Sequence, residues 1–215
     1  MSSATRQRIL DTARGLFNAE GLSRVGVRDV ARAAEISAGN LSYHFATKDD
    51  LVAALVGELH DINQRQIFAA LPADFSLVML YRAAMLAMRN MVDYRFVLLS
   101  YVDAVAASAE LAALEKKMAV GRFRRHEEML ALLVGNGFVG RAATVRSERI
   151  FEQSSFISSG WLSAARLRGW SYERAIPHFA RLGCALLEPW CTPKGARQMR
   201  RILAGREDQE LGAVG

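Results

Sequence analysis

Residues 22–50 read LSRVGVRDVARAAEISAGNLSYHFATKDD, and this stretch decides the fold. Val27, Val30, Ala31 and Ala34 recur at helical spacing, which predicts a short helix over 28–34 with one apolar stripe. Ile36 plugs the turn that follows, and Ser37 is placed to cap the next helix by accepting backbone N–H bonds. That second helix, over 38–44, turns Leu41 and Phe45 inward and Ala38, Asn40, Ser42, Tyr43 and His44 outward. Two short helices joined by a tight turn, the second bearing small, polar and aromatic groups, describe a helix-turn-helix whose second helix suits a major groove. The partner these residues predict is double-stranded DNA.

Outward from this stretch the pattern stays helical. Ile9, Leu10, Ala13, Leu16 and Phe17 form one apolar face over 6–20, and Gly21 supplies a residue that commonly ends a helix. Thr47-Lys48-Asp49-Asp50 is a variant capping box opening a fourth helix over 48–70, with Leu51, Val52, Leu55, Leu59 and Ile62 facing inward. Pro72 and Asp74 mark a seam. Beyond it, helices are predicted over 75–93 and 95–107, broken near Tyr94, and over 110–134, ending at Gly135-Asn136-Gly137. Another spans 145–168, stopped by Gly169. The next is capped by Ser171 and reaches about Trp190, with Pro177 expected to kink it or delay its start. Pro193 and Gly195 are expected to separate a last basic helix over 196–204, and the tail from 206 is expected to fray. The fold class is all-α, about nine to ten helices, with a three-helix head in 1–60 and a helical domain in 61–215.

Composition narrows the function. A net charge of +6 and a pI near 9.7 suit a polyanion partner. Residues 1–50 nevertheless hold seven basic against six acidic side chains, so individual cations near helix starts, not net charge, must mark the DNA-facing half. Cys184 and Cys191 fall on one predicted helix, with Cα atoms ~10 Å apart, too far for a disulfide. Reduced, buried thiols are expected. The start MSSATRQRIL lacks the apolar core of a signal peptide, and the uncharged run Gln153 to Ala165 is too short and polar to span a bilayer. A cytoplasmic chain without membrane contact is expected. No Ser–His–acid set, metal-ligand spacing or phosphate loop occurs, and His44, His60, His126 and His178 are scattered. Neither catalysis, metal nor cofactor is expected.

The run VRDVARAAEIS, AGNLSYHF and KDDL, with the preceding helix and Gly21, resembles the N-terminal domain of TetR-family transcriptional regulators over roughly the first 60 residues. The resemblance implies a DNA-binding domain in 1–60 and a ligand-binding and dimerisation domain in 61–215. It also implies a regulator, taken as a repressor, that binds a palindromic operator as a homodimer and is released by a small-molecule effector whose identity the sequence does not carry. Tyr43 and His44 resemble the family's aromatic pair that hydrogen-bonds phosphates. Asn40 can reach a base edge or phosphate from the first turn of its helix. Lys48 can share a phosphate with the N–H groups opening the fourth helix. Arg28, where relatives can reach the groove, suits a guanine or a phosphate equally. Ser37, Ala38 and Gly39 would let the backbone approach closely. Gly26 departs from the usual Thr or Ser cap, and Ser42 stands where a tyrosine is common, which alters the reading surface.

A single head buries too little surface to find one site in a genome, so a dimer surface is expected. The candidate is 154–168 with 171–190, where Ser155 and Ser159 allow close approach and Trp161, Leu162, Phe179, Leu186 and Trp190 supply apolar area. Ordinary core is the competing reading of the same residues. Met85, Met88, Phe96, Tyr101, Met118 and Phe123 can wall an adaptable apolar pocket or simply fill the core, and the resemblance favours the pocket. The alternative function is a non-catalytic helical interaction module with a degenerate helix-turn-helix.

Overall fold

The computed structural model describes residues 3–69 and 71–208. Eleven α-helices occur among them: α1 Ser3–Glu20, α2 Val27–Ala33, α3 Ala38–His44, α4 Lys48–Asn63, α5 Leu77–Asp93, α6 Arg95–Leu99, α7 Tyr101–Ala107, α8 Ala109–Gly135, α9 Ser147–Leu167, α10 Tyr172–Ala185 and α11 Pro193–Leu203. No strand is present among the described residues; Val139 and Cys191 form one isolated antiparallel bridge. None of these helices is long and apolar enough to cross a membrane. The all-helical reading holds, and the one helix beyond the ten read from sequence arises from a single break. Ser100 leaves helical geometry at φ −148° and its hydroxyl donates to the Phe96 carbonyl, dividing the expected 95–107 helix into α6 and α7.

Packing sorts the chain into two compact units, one of residues 1–64 and 90–118, the other of 65–89 and 119–215. A cut at residue 60 isolates the helix-turn-helix head, yet by packing residues 90–118 belong with it. The first core shows why. Ile9, Leu10, Ala13 and Phe17 of α1 meet Val30, Ala31, Leu41, Phe45, Leu51, Val52 and Leu55, and Tyr94, Phe96, Tyr101 and Leu111 join the same cluster. The rings of Phe17 and Phe96 are 5.6 Å apart. Asn18 fastens the junction from both sides, donating to the Asp93 carbonyl at 2.7 Å and accepting from the Phe96 N–H at 3.0 Å. Arg14 donates to the Tyr94 hydroxyl at 3.0 Å, which donates to Glu58 at 2.8 Å. Burial, helped by Glu58, pushes the Tyr94 phenol up to about 12. Phe96 and Tyr101 are thus buried in this core and Met118 packs against it, whereas Met85 and Met88, also buried, and Phe123 belong to the second unit.

Local signals within the first unit behave as read. Gly21 takes φ +88° and its N–H closes onto the Phe17 carbonyl at 3.0 Å, ending α1. Thr47 and Asp50 make both halves of the capping box of α4. Regular α4 stops at Asn63 and continues as a π-helical turn, Gln64–Phe68; the expected end at Ala70 lies outside the described residues.

In the second unit, α9 and α10 pack together through Trp161, Leu162 and Ala165 against Ala175, Ile176, Phe179 and Ala180, and the Trp161 and Phe179 rings are 6.4 Å apart. This corrects the dimer surface expected from sequence. Trp161, only 1% exposed, Leu162 and Phe179 are spent on the subunit's own core, so a second copy cannot cover them. Ser155, Leu186 and Trp190 are half-buried and Ser159 is exposed. On α9 and α10 the exposed large apolar groups are Phe156 at 79%, Leu167 at 90% and, less so, Leu182.

Pro177 lies inside α10 without delaying its start, since Ser171 still holds the cap position, although its hydroxyl makes no capping bond. A 3-10 turn, Arg141–Arg146, precedes α9, and another, Glu188–Trp190, follows α10. The two cysteines therefore do not share a helix, because α10 ends at Ala185. Both are free, and burial pushes the Cys184 thiol up to about 12, which keeps it protonated and unreactive. Pro193 and Gly195 do not separate the last helix but open it: Pro193 takes a first-turn position that needs no N–H, and the Thr192 hydroxyl accepts from the Gly195 N–H at 3.2 Å. After α11, Asp208 accepts from the Tyr81 hydroxyl and pairs with Arg181, each at 2.5 Å, and buried Glu207 pairs with Arg201 at 2.6 Å. The segment expected to fray is thus tied down as far as 208, and the remainder of the tail lies outside the described residues.

His126 packs between Phe123 and Phe151, with ring centroids 6.5 and 5.5 Å away, and its Nε2 is buried without a partner. His126 is thus part of an aromatic cluster. Burial holds its pKa below the ordinary 6.5, outweighing a backbone hydrogen bond with Ser147. A folded pKa below the unfolded one means full stability above pH ~6.5 and loss as pH falls past it. His126→Gln, which carries no proton at any of these pH values, is expected to narrow its melting-temperature gap to the parent between pH 7 and pH 5. Parallel curves would contradict a buried neutral imidazole.

Candidate nucleic-acid interface

The helix-turn-helix is built from α2, the turn 34–37 and α3. Gly26 caps α2 without a side chain, and Asp29 supplies the missing half by accepting from the Gly26 N–H at 2.9 Å. In the turn, Glu35 takes the left-handed conformation at φ +54°, while the Glu35 and Ile36 N–H groups bond the Arg32 and Ala31 carbonyls. Ser37 caps α3 as its sequence suggests, its hydroxyl accepting from the Asn40 N–H at 3.1 Å. Leu41 and Phe45 are buried and anchor the helix to the first core. Arg6 lies over the Phe45 ring at 5.0 Å.

That anchoring decides which face is free. Arg28, Ser37, Ala38, Gly39, Ser42 and Tyr43 are exposed, and Tyr43 is 75% exposed with its ring edge-on to His44 at 5.4 Å. A β-carbon at Gly39 would meet nothing within the subunit, so internal packing does not demand its small size. Asn40 and His44, one helical turn apart, are only half-exposed, and Asn40 Oδ1 and His44 Nε2 are buried without hydrogen-bond partners. A purely outward reading of these two is thereby corrected. Each shows solvent one side and keeps a polar atom inside, where an unpaired group costs about 1–3 kcal/mol. Lys48 is also partly withdrawn. Its ammonium donates to the Leu22 carbonyl, and burial lowers its pKa against the opposing pull of Asp49. Helical periodicity had no means of showing this, because the partner is a backbone carbonyl 26 residues earlier.

The surface offers chemistry of two kinds. Arg28 can neutralise a phosphate or fork onto a guanine edge, whereas Ser37, Ser42 and Tyr43 carry hydroxyls suited to phosphate or base-edge hydrogen bonds. Arg32 is occupied by Asp29. No group of three or more His, Cys, Asp or Glu side chains among the described residues is arranged to hold a metal.

Residues 9–55 match the family model described as bacterial regulatory proteins, tetR family. Over 61 residues the chain is 34% identical to the probable HTH-type transcriptional regulator YttP of Bacillus subtilis (strain 168), an alignment covering 28% of this chain and 30% of that protein. The chain thus matches under a third of that relative's length. Among solved structures, a TetR-family transcriptional regulator from Marinobacter aquaeolei VT8 superposes with a TM-score of 0.78 at 19% identity, covering 97% of this chain and 98% of that one. The triclosan complex of SmeT, the repressor of the Stenotrophomonas maltophilia multidrug efflux pump SmeDEF, superposes with a TM-score of 0.68 at 17% identity, covering 89% and 93%. At these identities the structural likeness concerns the fold.

Proposed function

We propose that this chain, whose residues 9–55 match the model of the tetR family of bacterial regulatory proteins, is a transcriptional repressor of that family that binds a palindromic operator as a homodimer and is released by a small molecule. The observation that carries this reading is α3 itself: two buried anchors, Leu41 and Phe45, leave Tyr43 75% exposed, and Arg28, Ser37 and Ser42 of the same helix-turn-helix are exposed as well. A large aromatic so exposed has no use inside the subunit. Small residues at 38 and 39 leave room for a phosphate backbone. A small-molecule effector is supported by analogy with SmeT, which binds triclosan, and by methionine-rich helices such as α5, which carries Met85 and Met88. Effector binding would favour a dimer whose reading helices no longer match the groove spacing.

A gel-shift on the DNA upstream of the chain's own gene tests the reading. Tight, salt-sensitive binding supports a repressor; no binding at low salt points instead to a helical interaction module with a degenerate helix-turn-helix. Within that assay Lys48→Ala is expected to weaken binding to every sequence alike and lower the slope of log K on log salt by about one unit. A loss confined to one base position would contradict a phosphate role for Lys48.

For the homodimer, the face supported by exposure is Phe156, Gly160, Ser163 and Leu167, which recur along one side of α9, with Leu182 of α10 nearby in sequence order. Phe156→Glu is expected to raise the dimer dissociation constant ~30-fold, about 2 kcal/mol, and to yield monomers in sedimentation. A dimer of unchanged strength would remove this face from consideration.

A further inference from the structure

One face of α9 has no use inside the subunit. Trp161, Leu162 and Ala165 turn the buried side of the helix onto α10, and the opposite side carries Glu152, Phe156, Ser159, Gly160, Ser163 and Arg166, all exposed. Gly160 stands well inside this helix, where glycine is among the poorest helix formers, and a β-carbon there would meet nothing within 4 Å. Packing within the subunit therefore gives no reason for it. Phe156, one turn earlier, is 79% exposed. Glu152 and Arg166 stand two turns to either side of Ser159, so all three fall in one row along the helix. Neither charge has an ion-pair partner among the described residues, and the Ser159 hydroxyl turns back onto its own helix, donating to the Ser155 carbonyl at 2.9 Å.

This row is complementary to itself when reversed. We infer that α9 pairs antiparallel with α9 of a second copy, crossing at Ser159 and Gly160. Glu152 of each then meets Arg166 of the other, and Phe156 of each fills the recess over Gly160 and Ser163 of the other. This pairing rests on the homodimer reading above and gives it a direction and a register. Charge selects the direction. A parallel pair about a two-fold axis would set Glu152 against Glu152 and Arg166 against Arg166, whereas the antiparallel pair turns both repulsions into attractions, twice per dimer. Size selects the register. Serine and glycine let two helix backbones come close at the crossing, and the bulky Phe156 then lies one turn away, over small residues instead of its own counterpart. Glu148 and Arg149, of opposite sign, fall beyond the end of the second copy's helix and offset one another.

Sedimentation of the full chain and its charge-reversed variants is the test. Glu152→Arg and Arg166→Glu, each at an exposed position and so expected to leave the fold intact, should each raise the dimer dissociation constant about tenfold or more, because each sets like charges together twice per dimer. The double reversal should bring the constant back to within about threefold of the parent, since the pairs re-form with their signs exchanged. Under a parallel pairing the double reversal restores nothing, and that result would overturn the inference. Gly160→Leu places a better helix former where nothing of its own subunit is touched, so it should keep its helicity and yield monomers. A Gly160→Leu protein that dimerises as the parent does would overturn the crossing point. Phe156→Glu separates this register from the reading it rests on. Monomers from Phe156→Glu without rescue by the double reversal would overturn the register and leave the homodimer standing, whereas a monomeric parent would overturn both.

Discussion

Tyr43→Ala is expected to abolish specific operator binding while the protein keeps its helicity, melting temperature and oligomeric state. The side chain is 75% exposed and its one ring contact among the described residues is with His44, so truncation removes little that holds α3 in place. Its loss therefore falls on recognition. A groove contact is worth about 1–3 kcal/mol per head. Two heads on one palindrome double this to about 2–6 kcal/mol, enough to reduce specific binding to the background that any duplex attracts. Fluorescence anisotropy on the upstream DNA, read beside circular dichroism, separates the outcomes. A variant that unfolds would make Tyr43 part of the core, and a variant that binds undiminished would remove α3 from the groove.

Gly195→Ala is expected to destabilise the second unit by about 3 kcal/mol or more, the upper end for forced overpacking. A β-carbon there would stand 1.9 Å from the Phe138 carbonyl oxygen and 2.9 Å from its carbon. These are backbone atoms, and they cannot rotate away as a side chain would. The Phe138 carbonyl already accepts from the Thr192 N–H at 3.1 Å, and its neighbour Val139 bridges Cys191, so retreat would cost those bonds too. In a chain of this size the melting temperature should fall by roughly 6–12 °C. An unchanged melting temperature would mean that α11 does not approach Phe138 so closely.

The head was legible because its signals are local. Apolar spacing, a serine cap, a Thr–Asp box and Gly21 each act within four residues, and each is realised in the structure. Harder to see was which buried faces belong together. Phe96 and Tyr101 read as pocket candidates but fill the first core, because Asn18 and Tyr94 fasten 90–118 onto α1 through contacts 75 to 80 residues apart. Trp161 and Phe179 were the most apolar choices for a dimer surface, and for that reason the subunit buries them itself. Phe156 and Leu167 sit on the opposite side of the same helix and became visible only once α10 had claimed its face of α9. On α3, periodicity separated Leu41 from Tyr43 correctly. It could not reveal that Asn40 and His44 lie half under their neighbours, since that depends on chain packed against α3.

The most direct test of the central claim is a hydroxyl-radical footprint of the protein on the DNA upstream of its own gene. Paired copies, each setting α3 into a major groove, should protect two symmetric half-sites centred about one helical turn apart, ~34 Å, and the Tyr43→Ala protein should leave both open. A single protected half-site, or protection that does not depend on Tyr43, would contradict it.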